Sequence, residues 1–557
     1  MAWRPRFQTE YKSVLDYLRD TTGMTEEELV NPQKTDPRSV VNLEKAAGII
    51  MSCIQRCMPI IIAGDYDCDG VTSSCILYLL LRQLGGLPEI RIPRRISEGY
   101  GINSRIIDGV FNSLIICVDN GIAATEVIAQ AKRQGNTVVI LDHHLLDTTE
   151  AELPPADAIV DPHVVGVGQG GYQYYCGAGL ALKLSELMLG NPSDNRPFFY
   201  SANVLAAIGT LADVMPLTGE NRRIVKDGLA IANNETAFSM LIPGVQELLR
   251  TTSAPYDEEK IQFSVAPMIN SVGRLYDAGA LSAVKAILCD NPNDSVTFAS
   301  KMKKINDKRK DLVKQWTETA EVMIQRQKET SPVTDIVVLV LNLYSAPEGI
   351  MGIIAGKLSE KYNLPAIVVT QSREDGILKG SGRSPAGFNL FDAIQHVREF
   401  TTAAGGHESA AGLSIRANQF FRFVDEINVY ARKGGFTKAE EPPQYFDIQI
   451  EESEAERFYL ELRKYAPYGE GCRKPVFAIR PFVPVVKNGN FNSYRFMGAE
   501  NAHLKLFGAY LDVIAFNQGA KYTELKHPEE IDVYGSIETN TFNGKTTLQF
   551  NAKDIEI

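Results

Sequence analysis

Acids and histidines crowd the ends of three apolar runs in this chain. Asp65-Tyr66-Asp67-Cys68-Asp69-Gly70 follows the run 59–64, Asp119-Asn120-Gly121 follows 114–118, and Asp142-His143-His144 follows 137–141. Each run reads as a strand buried on both faces. In an open parallel sheet the carboxyl ends of the strands border the ligand crevice. One acid after a strand is ordinarily a helix N-cap or a turn former. Three such ends, with two of only seven histidines adjacent at one of them, point instead to a shared site. Carboxylates packed so closely repel one another and lose hydration unless cations neutralise them. Oxygen ligands with one or two imidazoles suit a pair of Mn²⁺ or Mg²⁺ ions.

The surrounding pattern supplies elements to hold such a site. Residues 71–84 carry apolar side chains at helical spacing, so the first acid cluster lies on a strand-to-helix turn. From about 46 to 290 strands alternate with helices, the signature of a doubly wound parallel sheet, and an apolar helix over 204–212 delivers Asp213 at its end. A polar loop is expected at Asn191 to Arg196. A long charged helix, about 295–329, leads to a second, smaller α/β unit that starts at Asp335 and runs to about 435, with Gly-rich turns at 380–382 and 404–406. A polar, Pro-containing linker over 438–443 follows. Beyond it come short alternating strands at 446–450, 476–479, 503–507, 513–516, 531–537 and 546–550, with Asn488-Gly489 and Asn543-Gly544 as turns. That pattern predicts a small β-barrel. Residues 1–45 are polar and mixed, and read as an N-terminal extension packing helices on the core.

A chain of 557 residues is too long for one core and predicts three or four domains. Its 44% hydrophobic and 22% charged content are those of a soluble globular protein. No run reaches the ~18 apolar residues of a membrane span, and residues 1–20 hold no signal-peptide core. The eight cysteines are scattered with no CxxC pair, which fits reduced thiols in a cytoplasmic protein. A net charge of −11 argues against a general nucleic-acid coat but not against a nuclease, which needs only a local basic track. Lys301, Lys303, Lys304, Lys308, Arg309, Lys310 and Lys314 form one such track, and a solvated helix face explains them equally well.

The motifs resemble, in order, those of the DHH phosphoesterases, and within them the RecJ exonucleases. The three acid segments match the first three motifs. Cys176-Gly-Ala-Gly179 with 206–217, which contains Asp213, resembles the fourth. Pro267 to Leu275 resembles the fifth, and Gly380-Ser381-Gly382-Arg383-Ser384 and Gly405-Gly406-His407 to Gly412 resemble the DHH-associated C-terminal domain. Pro467-Tyr-Gly469-Glu-Gly471 to Phe477 looks like the entry to the RecJ OB-fold. The resemblance implies an N-terminal extension over 1–45, a DHH catalytic domain over 46–290, a linking helix over 291–330, a DHH-associated domain over 331–438 and a nucleic-acid-binding OB-fold over 439–557.

By the same resemblance Asp119 bridges two divalent cations, Mn²⁺ or Mg²⁺, with Asp67, Asp69, His143 and Asp213 as further ligands and Asp65 as an additional one. His144 serves catalysis by donating to the phosphate, and Asp142 orients the imidazoles. Arg95 and Tyr100, in the segment 93–101, contact DNA. The family usually has Asn where this chain has Arg94, and Ala where it has Gly382. Ser381 and Arg383 are suited to grip a 5′-phosphate, His407 faces the same cleft, and Arg274 clamps an adjacent phosphate. Tyr494, Phe496, Phe507 and Phe516 could stack on bases, but barrel aromatics are mostly core, so none is assigned.

The implied activity is metal-dependent 5′-to-3′ degradation of single-stranded DNA to 5′-mononucleotides in repair and recombination, with a single-strand-binding protein or helicase as candidate recruiter. Two rivals remain. A DHH phosphodiesterase acting on short oligoribonucleotides or cyclic dinucleotides shares the acids but lacks the tail over 445–557. A catalytically silent replication subunit would have lost ligand residues, all of which are present here.

Overall fold

The structure, a computed structural model, describes residues 3–146, 152–190, 192–330, 337–434, 436, 443–487, 492–542 and 545–557. Asn191, Asp335, most of the expected linker and the turns at 488–489 and 543–544 lie outside these residues. The described chain forms two compact units: one comprises residues 35–215 and 227–441, the other residues 1–34, 216–226 and 442–557.

The larger unit is built on a five-stranded, all-parallel sheet in the order Pro88–Arg91, Ile60–Ala63, Leu114–Val118, Thr137–Leu141, Ala158–Val160. The three central strands are the apolar runs expected from sequence, buried almost throughout. Ala63 pairs with Cys117, and Val118 with Leu141, so these strands end level and their acids emerge along one edge. The outer strands escape the sequence pattern because Pro88–Arg91 is half exposed and Ala158–Val160 is only three residues long.

The helix Cys68–Gln83 is buried on nearly all sides and therefore lacks an amphipathic stripe. Its polar residues turn inward onto its own carbonyls: Thr72 Oγ1 donates to Cys68 O at 2.9 Å and Ser74 Oγ to Gly70 O at 2.6 Å. A Cβ at Gly70 would sit 2.6 Å from the Asp65 carbonyl oxygen, so only glycine lets the acid turn close against the helix.

The helix Pro292–Thr330, 39 residues long, leads into a second sheet in the same unit. Its order is Thr401–His407, Ala410–Arg416, Ile377–Arg383, Ala366–Gln371, Leu339–Asn342, antiparallel except for the last pair.

The smaller unit holds a mixed seven-stranded sheet, ordered Ile448–Ile450, Phe477–Phe482, Ile531–Phe542, Lys545–Glu556, Asp512–Ala515, His503–Leu506, Tyr494–Met497. The strand Tyr494–Met497 has no counterpart among the expected strands. Residues 1–34 join this unit rather than packing helices on the parallel sheet. Arg4–Pro5 pairs in parallel with Tyr445–Phe446, and Trp3 stacks on Tyr534 at 4.7 Å. Such long-range pairing leaves no local periodicity to read. Arg222 is fully buried here and donates to the carbonyls of Leu29, Tyr465 and Pro467 at 2.6–2.9 Å. Among the described residues no helix is long and apolar enough to cross a membrane, and no two cysteines form a disulfide.

Candidate metal centre and phosphate pocket

Asp65 leaves the strand Ile60–Ala63 and is buried, with Oδ1 accepting from the Gly101 amide at 3.1 Å and Oδ2 lacking any hydrogen-bond partner. Burial, reinforced by the charge of Asp67, pushes its carboxyl up to about 8. Asp67 caps the following helix through the Gly70 amide at 3.0 Å. Asp69, in the first turn of that helix, accepts from the amides of Gly177 and Ala178 at 2.6 and 3.0 Å, so the positive end of the helix Gly177–Leu189 faces it. A Cβ at Gly177 would lie 2.7 Å from the Asp119 Cβ, and one at Gly209 would lie 2.6 Å from Asp69 Oδ1. The glycines thus give the carboxylates room to converge.

Asp119 sits at φ 61°, a left-handed conformation that turns it sharply out of its strand. Its Oδ1 lies 3.0 Å from His143 Nε2, which is also 3.7 Å from Asp213 and 3.9 Å from Asp69. Asp213 ends the helix Arg196–Ala212, as the sequence predicts. Burial, then the charges of Asp69 and Asp67, pushes its carboxyl up to about 8. Asp69 and Asp119 are driven upward too, first by burial. Burial lowers the His143 pKa, which favours the neutral imidazole that a metal ligand must be.

Three sets of ligand atoms each lie within 4.8 Å of one another: Asp65, Asp67 and Asp119; Asp69, His143 and Asp213; Asp119, His143 and His144. Asp119 belongs to two of them, where a bridging carboxylate would stand. Oxygen-rich donors with an imidazole, and an orphaned buried oxygen on Asp65, fit hard divalent cations.

Asp142 accepts from the Ile122 amide at 2.9 Å through Oδ2 and holds His144 Nδ1 at 2.7 Å through Oδ1. Burial alone would lower the His144 pKa, but the Asp142 hydrogen bond and charge outweigh it and raise it to about 9. The Tyr100 hydroxyl donates to Asp119 O at 2.9 Å and lies 3.1 Å from the His144 ring nitrogens.

Beside Asp67 lies a cluster of arginines. Arg95 stacks over the Tyr66 ring at 4.5 Å. Arg274 donates to Gly349 O at 3.3 Å, and Arg383 to Ser381 Oγ and Gly382 O at 3.1 and 2.8 Å. Burial and then the charges of Arg95 and Arg309 lower Arg274 to about 9. Arg383 is lowered by burial and by Arg95. None of these four arginines pairs with a carboxylate among the described residues, whereas Arg94 is spent on Glu98. Half-buried cations without counter-anions among the described residues make a site for phosphate. His407 sits across Ala410 from Arg383 in sheet register; it is exposed and its ring meets Ser409.

Sequence reasoning missed three contributors. Asn120 ties the site together, donating to Ala63 O and Val118 O and accepting from the Ile102 amide. Asp161, after the short strand Ala158–Val160, is buried near Asp142 and raised to about 7, first by burial. Arg309 stands in the basic track, but its side chain is half-buried with an unpartnered Nε, while the six lysines around it are exposed. The sign for Asp161 was present in the Ile159-Val160-Asp161 order; Arg309 carried none.

Family models match three parts of the chain: the N-terminal domain of the DHH family over residues 59–210, the DHHA1 domain over 335–433 and the RecJ OB domain over 446–554. The single-stranded-DNA-specific exonuclease RecJ of Bacillus subtilis is 31% identical over 537 residues, covering 94% of this chain and 64% of that protein. The protein of the same name from Haemophilus influenzae is 28% identical over 554 residues, covering 94% and 92%. The crystal structure of Thermus thermophilus RecJ in complex with Mn²⁺ superposes with a TM-score of 0.78 at 26% identity, over 98% of this chain and 76% of that one.

Proposed function

The chain belongs to the RecJ family of DHH exonucleases, and from that premise we propose that it degrades single-stranded DNA from the 5′ end, releasing 5′-mononucleotides in repair and recombination. Asp65, Asp67, Asp69, Asp119, His143 and Asp213 would hold two divalent cations, Mn²⁺ or Mg²⁺. When bound, the ions supply Lewis acidity for in-line displacement at phosphorus.

The remaining work falls to the protein. The phosphate pocket of Arg95, Arg274, Ser381 and Arg383 would hold the 5′-phosphate, setting the next phosphate at the carboxylates. A water oxygen then bonds to that phosphorus while the P–O3′ bond breaks, and O3′ leaves with a proton. The observation that carries this reading is the set of arginines without carboxylate partners among the described residues, bordering a complete acid and histidine set. His144, kept protonated by Asp142, would donate to a phosphoryl oxygen as charge builds there, and Tyr100 orients its ring. His407 would flank the entering strand. We place its action in the cytoplasm, where cysteines that form no disulfide among the described residues would stay reduced.

Digestion of single strands labelled at either end, with and without Mn²⁺, tests the polarity and the metal requirement. Asp119→Ala should abolish turnover. Release from the 3′ end, or near-normal activity in purified Asp119→Ala protein, would refute the proposal.

A further inference from the structure

The side of the centre away from the arginines holds a cavity of about 540 Å³ that the reaction described above does not use. Its walls include Tyr100, Ile122, Ala123, Val127, His144 and Leu145. A volume of that size suits one small organic ligand. The side chains of Tyr100 and Leu145 stand 49% and 73% exposed, so apolar surface is left open beside reacting groups. Among the described residues the lining contains no lysine or arginine. Its buried acid, Asp142, is already engaged by His144 and the Ile122 amide, and Glu126 is exposed. Beyond His144, which Asp142 already engages, a phosphate would find no cation among the described lining residues, whereas a flat apolar ring would find matching walls.

Side chains form a continuous row from the arginines to this cavity. Arg95 stacks on Tyr66 at 4.5 Å, Tyr66 meets Tyr100 edge-on at 6.4 Å, and Tyr100 meets His144 at 5.4 Å. If the 5′-phosphate lies on the arginines and the scissile phosphate at the carboxylates, the first nucleotide occupies the stretch between them. The cavity then comes just after the scissile phosphate.

We propose that this cavity, on the 5′-exonuclease reading above, binds the nucleobase of the second nucleotide, the residue that keeps the scissile phosphate. Stacking on Tyr100 and contact with Leu145 accept any base, because the walls offer ring and alkyl surface rather than a fixed pattern of donors. The base would anchor the strand on the retained side of the bond while the first nucleotide leaves.

The test uses the full-length protein and 5′-phosphorylated oligodeoxynucleotides that are unmodified, abasic at the second position or abasic at the sixth. Two quantities are read: release of the first nucleotide, and binding by fluorescence anisotropy in chelator. For the wild type, the second-position abasic strand should bind and react roughly tenfold more weakly than the other two. Ala123→Trp, which fills the cavity, and Leu145→Ala, which opens its wall, should each weaken the unmodified strand and leave the second-position abasic strand nearly unchanged. Equal losses on all three strands, or wild-type indifference to the second-position base, would overturn the proposal. If no 5′ nucleotide is released from any strand, the exonuclease reading fails, and the anisotropy comparison still decides the cavity.

Discussion

Asp65→Asn isolates the electrostatic cost of the metal centre. The amide can keep the one hydrogen bond the side chain makes, since its Oδ1 still accepts from the Gly101 amide at 3.1 Å. It replaces the unpartnered Oδ2 with a donor that faces carboxylates. The Asp65 carboxyl is raised from 3.8 to about 8, by burial first and the charge of Asp67 second. A folded pKa above the unfolded value means that the folded protein binds the proton more tightly. The resulting penalty is full above pH 8, shrinks as pH falls towards the unfolded pKa, and vanishes below it. With each tenfold change in proton affinity at about 1.4 kcal/mol, the ceiling at pH 8 is about 5–6 kcal/mol, and at pH 5 about 2 kcal/mol. Asp69, Asp119 and Asp213 also take up protons and share the relief, so about 2 kcal/mol of stabilisation at pH 8 is expected from the single change. Thermal melting in chelator should therefore show the variant a few degrees more stable than wild type at pH 8 and close to it at pH 5. Saturating Mn²⁺ should reverse the order, because the wild type gains a ligand contact that the variant lacks. A variant equally or less stable in chelator at pH 8, or an advantage independent of pH, would refute the reasoning.

Gly177→Ala forces a methyl group to within 2.7 Å of the Asp119 Cβ, so the weakened metal site should need far more Mn²⁺ for half-maximal activity; an unchanged metal titration would show that the two segments move apart freely. Arg383→Ala should cost about 1.5–3 kcal/mol in kcat/KM on 5′-phosphorylated strands and much less on 5′-hydroxyl strands. Equal losses on both would remove it from the 5′-phosphate pocket. Arg222→Ala strips three buried carbonyls of their donor, so it should destabilise the smaller unit by about 3–5 kcal/mol and speed proteolysis within residues 443–487, with wild-type resistance as the contrary result. That contact also makes removal of residues 439–557 a poor probe of DNA grip, since truncation would orphan the Arg222 guanidinium.

What could be read from the sequence was what repeats locally. The strands at 60–63, 114–118 and 137–141 are buried on both faces, so continuous apolar runs mark them, and the acids follow at once. Asp213 was legible because an apolar helix runs straight into it. The short or half-exposed strands Pro88–Arg91 and Ala158–Val160 lacked that signal, and Asp161 went unnoticed with the second of them. Tyr494–Met497 is only four residues long, none of them fully buried, so alternation cannot declare it. The pairing of Arg4–Pro5 with Tyr445–Phe446 joins segments more than four hundred residues apart, beyond any local pattern.

Arg309 shows why charge counting alone misleads. In the sequence it is one of seven basic residues on a helix, and a solvated face explains all of them. In the structure the six lysines are exposed, while Arg309 is half-buried, its Nε has no partner, and burial lowers its pKa. Its charge is felt by Arg274, which also feels Arg95. Such mutual repulsion raises the free energy of the empty pocket, and an incoming phosphate relieves it. The same logic governs the facing carboxylates, where repulsion is relieved by cations. Two like-charged clusters of opposite sign therefore stand side by side in one unit, each incomplete without its ligand. A nuclease that must hold a polyanion next to metal ions needs that pairing, and a fold stabilised for its own sake would have cancelled the charges against each other.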